Sequence, residues 1–223
     1  MTERDDDIPP PEAAAPEPMF NAPAVSIALL ALLAIAYGVQ VFLLTPEDVY
    51  IAALSGRALA EGRWWTLVTH MFLHANLVHI LMNGGVALAF GPAVARHFGP
   101  GIRAGFVFML FYLVCGLAGG LGYLALHPGG TGVVIGASGA ISGLWGGAAR
   151  LIGRSRGLSG LWEGPVRSQI AVVVVLNLLI GLTGFAAGGL PIAWEAHIAG
   201  FVAGLLLIGP FTRLARASYR SKR

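Results

Sequence analysis

Six apolar stretches dominate the sequence, at about 24–44, 73–91, 104–126, 134–152, 168–187 and 194–212. Each is close to the roughly 20 residues a helix needs to cross the hydrocarbon core of a bilayer. Within lipid every backbone N–H and C=O must be paired inside the chain, so such stretches become helices. The expectation is an all-α membrane protein, a bundle of six transmembrane helices. Composition agrees: 56% of residues are hydrophobic and 11% charged, against the roughly 25% charged residues of a soluble domain. A soluble fold would lack the polar surface to cover itself.

The charges that do occur gather at the ends. Residues 1–22 are rich in Pro, Ala and acids (Glu3, Asp5, Asp6, Asp7, Glu12, Glu17) and read as a disordered cytoplasmic tail. Residues 213–223 form a basic tail (Arg213, Arg216, Arg220, Lys222, Arg223). No aromatic array is interleaved with those bases, so they read as a membrane-flanking anchor and not a nucleic-acid site. The domain proper is expected over 23–212. With both termini in the cytoplasm, twelve of the fourteen bases fall on the cytoplasmic side, leaving Arg57 and Arg63 outside. The positive-inside rule selects that orientation over its inverse. With no targeting segment at its start, the chain is expected in a bacterial inner (plasma) membrane. The lone Cys115 lies in an apolar run without a cationic neighbour, which fits a structural thiol.

The connection 45–68 carries Tyr50, Trp64 and Trp65, residues suited to the lipid–water interface. We expect it to be an embedded first external loop, although a solvent loop with anchor residues fits the same pattern. Glycines recur at spacing four in Gly139/Gly143/Gly147 and Gly200/Gly204, which permits close approach of helix backbones.

Polar groups inside a span are costly and point to function. Three clusters stand out. Gly136-Ala137-Ser138-Gly139 opens the fourth span, where free N–H groups at a helix N-terminus can stabilise a negative oxygen. Glu195-Ala196-His197-Ile198-Ala199-Gly200 opens the sixth. Taken alone, Ser138 is an ordinary helix serine and His197 a buried histidine bonded to a carbonyl. However, Gly200 and Gly204 share a helix face with His197, and the glycine run after Ser138 is their natural partner. Both helices start on the outer side, so the hydroxyl and the imidazole lie at similar depths, as hydrogen bonding requires. The third cluster runs from His70 through His74 and His79 to Asn83. His79 and Asn83 share a face, and His70 and His74 are expected at the outer mouth. Histidines at spacing four also suit zinc, but a zinc protease needs His-Glu-x-x-His. No acid lies between His70 and His79, so no metal is expected.

Together these clusters resemble the rhomboid family of intramembrane serine proteases. The resemblance covers about residues 60–205. It rests on the histidine run ending at Asn83, on Gly-Ala-Ser-Gly at 136–139 and on Ala-His-Ile-Ala-Gly at 196–200. It implies a rhomboid-type six-helix bundle with a cavity open to the outside. It further implies a dyad of Ser138 as nucleophile and His197 as base and then acid, with His79 and Asn83 at the oxyanion site beside the Ser138 N–H. Gly136, Ala137, Gly139, Ser142, His74 and Gly200 are then expected to line or support the cavity. The implied substrates are transmembrane proteins cut near the outer end of their helix, with no cofactor. Two positions depart from the common pattern. Trp65-Thr66 stands where many members carry Trp-Arg, with Arg63 displaced upstream. Ser142 stands where some members stack an aromatic ring on the catalytic histidine, so Ser142 is a candidate partner for the imidazole.

There are two rival readings, the first from the same fold and the second from another class. A non-catalytic rhomboid-like factor that binds membrane proteins would lack the serine or the histidine, and both are present. A transporter or channel would need charged or broken-helix sites at mid-membrane, and the span interiors carry no carboxylate, Arg or Lys. The fifth span and the Gly184–Trp194 connection are the expected gate for substrate.

Overall fold

The computed structural model describes residues 21–153, 157–186 and 193–217, with the side chains of 181–186 left aside. The tail before residue 21, Arg154, Arg156, residues 187–192 of the expected gate and residues 218–223 lie outside this description. The first helix is α1 (Ala24–Leu43). A connection follows with three short helices, α2 (Pro46–Ala52), α3 (Gly56–Ala60) and α4 (Thr66–Thr69), and a 3-10 turn at His70–Phe72. Then come α5 (Leu77–Phe98), α6 (Ile102–Leu126), α7 (Ser138–Ala149), α8 (Gly164–Ala186) and α9 (Trp194–Arg216).

Four of these helices, α1, α5, α6 and α9, are long and apolar enough to cross a membrane, and α8 adds a shorter apolar stretch at Gly164–Ile180. The protein is an all-helical, multi-pass membrane protein. The expected fourth span, 134–152, needs correction. Its helix is only the 12 residues of α7. The residues before it are apolar enough to count as a span, yet their backbone is extended: Val134 pairs with Leu54 in both directions, and the Gly136 N–H donates to the His70 carbonyl at 2.8 Å. Irregular backbone is tolerated at depth when protein satisfies it.

α7 sits at the centre, packed by α5, α6 and α9, while α1 lies against α5 and α6 at the edge. The main core joins Phe108, Phe111, Tyr112 and Cys115 of α6 to Ile141 and Leu144 of α7 and to Leu29 and Leu33 of α1. Cys115 is fully buried, as a structural thiol should be. A second, smaller cluster seats the start of α8 through Val166 and Val173 against Ala149, Phe201 and Leu205.

The glycine seam forms as its spacing predicts. A Cβ on Gly200 would strike the Gly139 carbonyl oxygen, and one on Gly204 the Gly143 carbonyl oxygen. α7 and α9 therefore touch backbone to backbone. α6 joins the seam, with Gly119 facing the carbonyl of Ala196.

Arg63 does anchor the first connection, despite its displaced position. Its guanidinium meets Glu61 at 2.8 Å, donates to the Ile51 carbonyl at 3.1 Å at the end of α2, and lies over the Tyr50 ring. Asp48 closes a capping box with Thr45, and these bonds hold its carboxyl below the usual range. Tyr50, Trp64 and Trp65 are exposed.

Candidate active site

Ser138 is the first residue of α7, where the N–H groups of the opening turn have no acceptor within the helix. Gly136 sets its approach. Its φ of +127° suits glycine alone, and a Cβ there would come within 2.9 Å of His79 Cε1 and Nε2. The His79 ring thus lies directly on the backbone that leads into Ser138. Ala137, fully buried, accepts the Ile141 N–H and starts the helix.

His197 lies on the first turn of α9, and the seam at Gly139 and Gly200 brings that turn against the start of α7. Ser138 Oγ lies 2.8 Å from His197 Nε2, although the two residues are 59 positions apart. The other ring nitrogen, Nδ1, lies 2.9 Å from Asn177 Oδ1 on α8. Asn177 Nδ2 donates to the Val173 carbonyl at 2.8 Å. That bond fixes the amide with its oxygen toward the imidazole. His197 then carries its proton on Nδ1 and leaves the Nε2 lone pair to accept from the Ser138 hydroxyl.

The tautomer of His79 is fixed in the same way. Its Nδ1 accepts the Ala75 N–H at 3.3 Å, so its proton sits on Nε2, on the side of Gly136. Asn83, one turn further along α5, is buried, and its Nδ2 has no hydrogen-bond partner among the described residues. An unpaired buried donor is uncommon and costly.

Three residues differ from expectation. His74 was expected at the outer mouth, but it is fully buried, edge-on to both Tyr37 and His79. Its backbone is held by Gln40, which accepts the His74 N–H at 2.8 Å and donates to the His74 carbonyl at 2.7 Å. A single polar residue late in α1 thus pins the turn before α5. His70 is also buried, its Nδ1 2.7 Å from the Thr66 carbonyl, and burial pushes its imidazole down to about 4. Ser142 is not the partner of His197, because both ring nitrogens are taken by Ser138 and Asn177. Sequence reading missed Asn177. The signal was present: it is the one polar side chain in the run from Ala171 to Ile180.

A hydroxyl bonded to a neutral imidazole, on the first residue of a helix whose opening N–H groups have no acceptor within it, can make a nucleophile and receive the charge that its attack creates.

Comparison with known proteins points to one family. Residues 61–213, well over half of the chain, match the rhomboid domain. The chain is 29% identical over 164 residues to the rhomboid protease GluP of Bacillus subtilis, covering 72% of this chain and 28% of that protein. It is 30% identical over 170 residues to RHOMBOID-like protein 5 of Arabidopsis thaliana, covering 76% of this chain and 50% of the relative. With RHOMBOID-like protein 4 of the same plant, identity is 33% over 183 residues, covering 79% and 42%. The chain spans half or less of the length of these relatives. The matched region contains every residue of the Ser138–His197–Asn177 arrangement and of the His79–Asn83 pair, and on these grounds the chain belongs to the rhomboid family.

Proposed function

We propose that the protein is an intramembrane serine endopeptidase that cleaves transmembrane protein substrates near the outer end of their membrane helix. The observation that carries this reading is the 2.8 Å contact between Ser138 Oγ and His197 Nε2, on an imidazole whose far nitrogen already donates elsewhere. The hydroxyl attacks the scissile carbonyl while Nε2 takes its proton. The carbonyl oxygen becomes an oxyanion beside the Ser138 N–H, His79 Nε2–H and Asn83 Nδ2–H. Each such donor contributes roughly 3–4 kcal/mol in related acyl transfer. His197 then protonates the departing amine, leaving an acyl group on Ser138. Water, deprotonated by the same nitrogen, releases it.

The finer architecture belongs to this proposal. α7 and α8 count as two further spans, giving a six-span domain over 23–212 between the acidic tail of 1–22 and the basic tail of 213–223. Both termini face the cytoplasm of a bacterial plasma membrane. Exposed Tyr50, Trp64 and Trp65 support a first external loop embedded in the lipid interface.

The test is labelling of the purified protein by a fluorophosphonate, together with cleavage of a single-span reporter. Both are expected to disappear in Ser138→Ala and in His197→Ala with the thermal unfolding midpoint retained. Undiminished cleavage by Ser138→Ala overturns the proposal.

A further inference from the structure

α8 turns one narrow stripe toward the rest of the molecule. Val166 and Val173 are buried, Ile170 packs beside them, and Asn177 follows at the same helical spacing. The opposite face, with Val172, Val174, Val175, Leu176 and Leu178, is exposed as in a helix facing lipid. The start of α8 is seated twice over, by the Val166–Val173 cluster and by Trp145 Nε1 donating to Gln169 Oε1 at 2.7 Å. Farther along, the stripe ends on the Asn177–His197 hydrogen bond. An amide in an apolar run is expensive unless both its ends are satisfied. Here one end bonds its own helix and the other bonds the base.

We propose that Asn177 is the positioning residue of the active site, holding the His197 imidazole in the tautomer and rotation that Ser138 requires, so that the base is competent only while α8 is seated. The proposal rests on the reading of Ser138 and His197 as nucleophile and base. Asn177 touches neither the hydroxyl nor the reacting carbonyl; it acts through His197. Without an acceptor at Nδ1, the ring is free to rotate about its side-chain bonds, and the proton can sit on either nitrogen. A protonated Nε2 cannot accept from the serine. The bond ties the base to α8, whose start is seated by the Val166–Val173 cluster. It supplies the support that an aromatic ring at the Ser142 position does not provide in this chain.

The bland alternative is an asparagine that merely ties two helices together. Full-length protein carrying Asn177→Leu, which keeps the volume and removes the acceptor, separates the two. Asn177→Asp, which keeps the acceptor, is the rescue. The probes are a small fluorophosphonate, for which the maximal acylation rate is separated from the binding constant, and a single-span reporter, for which kcat is separated from KM. The expected result for Asn177→Leu is a fall in acylation rate and kcat on the order of 10²-fold, the scale of a misplaced catalytic group. The binding constant and KM stay unchanged, and Asn177→Asp recovers most of the loss. Should Asn177→Leu not fold, Asn177→Ala is read by the same criteria. Acylation at the wild-type rate in the folded variant overturns the proposal. So does a rise in KM at unchanged kcat, which makes Asn177 a substrate contact. If His197→Ala itself still labels, the underlying dyad reading has failed; if it does not and Asn177→Leu labels normally, only this inference has failed.

Discussion

Asn83 carries an unusual burden for a buried residue. Its Nδ2 is out of contact with solvent and unpaired among the described residues. Leaving such a donor unmade costs a fold about 1–3 kcal/mol. The cost makes sense if the partner arrives only with the oxyanion. Asn83→Leu, of similar volume, is therefore expected to act in opposite directions on the two properties. Turnover falls about 10²–10³-fold, as for loss of one oxyanion donor. The thermal unfolding midpoint holds or rises, because an unsatisfied amide is removed. Reporter cleavage and unfolding on the same preparation check this; a variant that loses stability with its activity rejects the assignment. Residue roles were unevenly legible. Ser138 and His197 stand out because their glycines fix depth and neighbour together. His74 did not read as buried, because the bond that fixes its backbone comes from Gln40, 34 residues earlier. Asn177 escaped notice because the local pattern of Val and Leu says only that a helix is apolar, not which helix its one amide meets.

At the scale of elements, the seam between α7 and α9 brings the two halves of the dyad together, and it has no room to spare. Gly204 lies one turn beyond Gly200, away from the chemistry, and a Cβ there would meet the Gly143 carbonyl oxygen, which belongs to the backbone. Gly204→Ala must push the helices apart. It is expected to cost about 1–3 kcal/mol, as overpacking does, and to slow fluorophosphonate labelling without touching any reacting group. Gly38 in α1 is the control. Nothing lies within 4 Å of a Cβ at that position. Gly38→Ala is expected to leave labelling intact and to add about 0.5–1 kcal/mol of helix stability. Equal behaviour of the two variants in unfolding and labelling rejects the seam as the determinant. The seam was readable from spacing alone, because glycine at every fourth position has one geometric consequence in a helix. The true length of α7 was not. Residues 131–137 are as apolar as a span, and hydropathy cannot register that Leu54 and His70 take their backbone bonds.

Across the whole molecule, most of the described bases gather at the end away from the dyad, where Glu163 is the described acid. Near the dyad, Glu47, Asp48, Glu61 and Glu195 accompany Arg57 and Arg63, and Glu61 binds both of those arginines. Glu195 is itself bonded to His127 at 2.8 Å. The other end gathers Arg96, Arg103, Arg150 and Arg216, each donating to a backbone carbonyl of a different segment. Those bonds knit the start of α1, the α5–α6 turn and the close of α9 together. Carrying the basic end across a bilayer would require desolvating every guanidinium, whereas the dyad end presents mostly acids and paired charge. On the proposed orientation, the positive-inside rule is expected to put the basic end in the cytoplasm. α6 offers a direct test, since its 25 residues span about 37 Å as helix, enough to cross a core of about 30 Å. Pro100 precedes α6 at the basic end and Pro128 follows it at the dyad end, and both are exposed. The native Cys115 is fully buried and gives no background. A membrane-impermeant maleimide on intact cells is expected to label Pro128→Cys at once and Pro100→Cys only after permeabilisation. Labelling of Pro100→Cys alone on intact cells reverses the orientation. The active site would then face the cytoplasm, and the substrates would be cut at the opposite end of their helices.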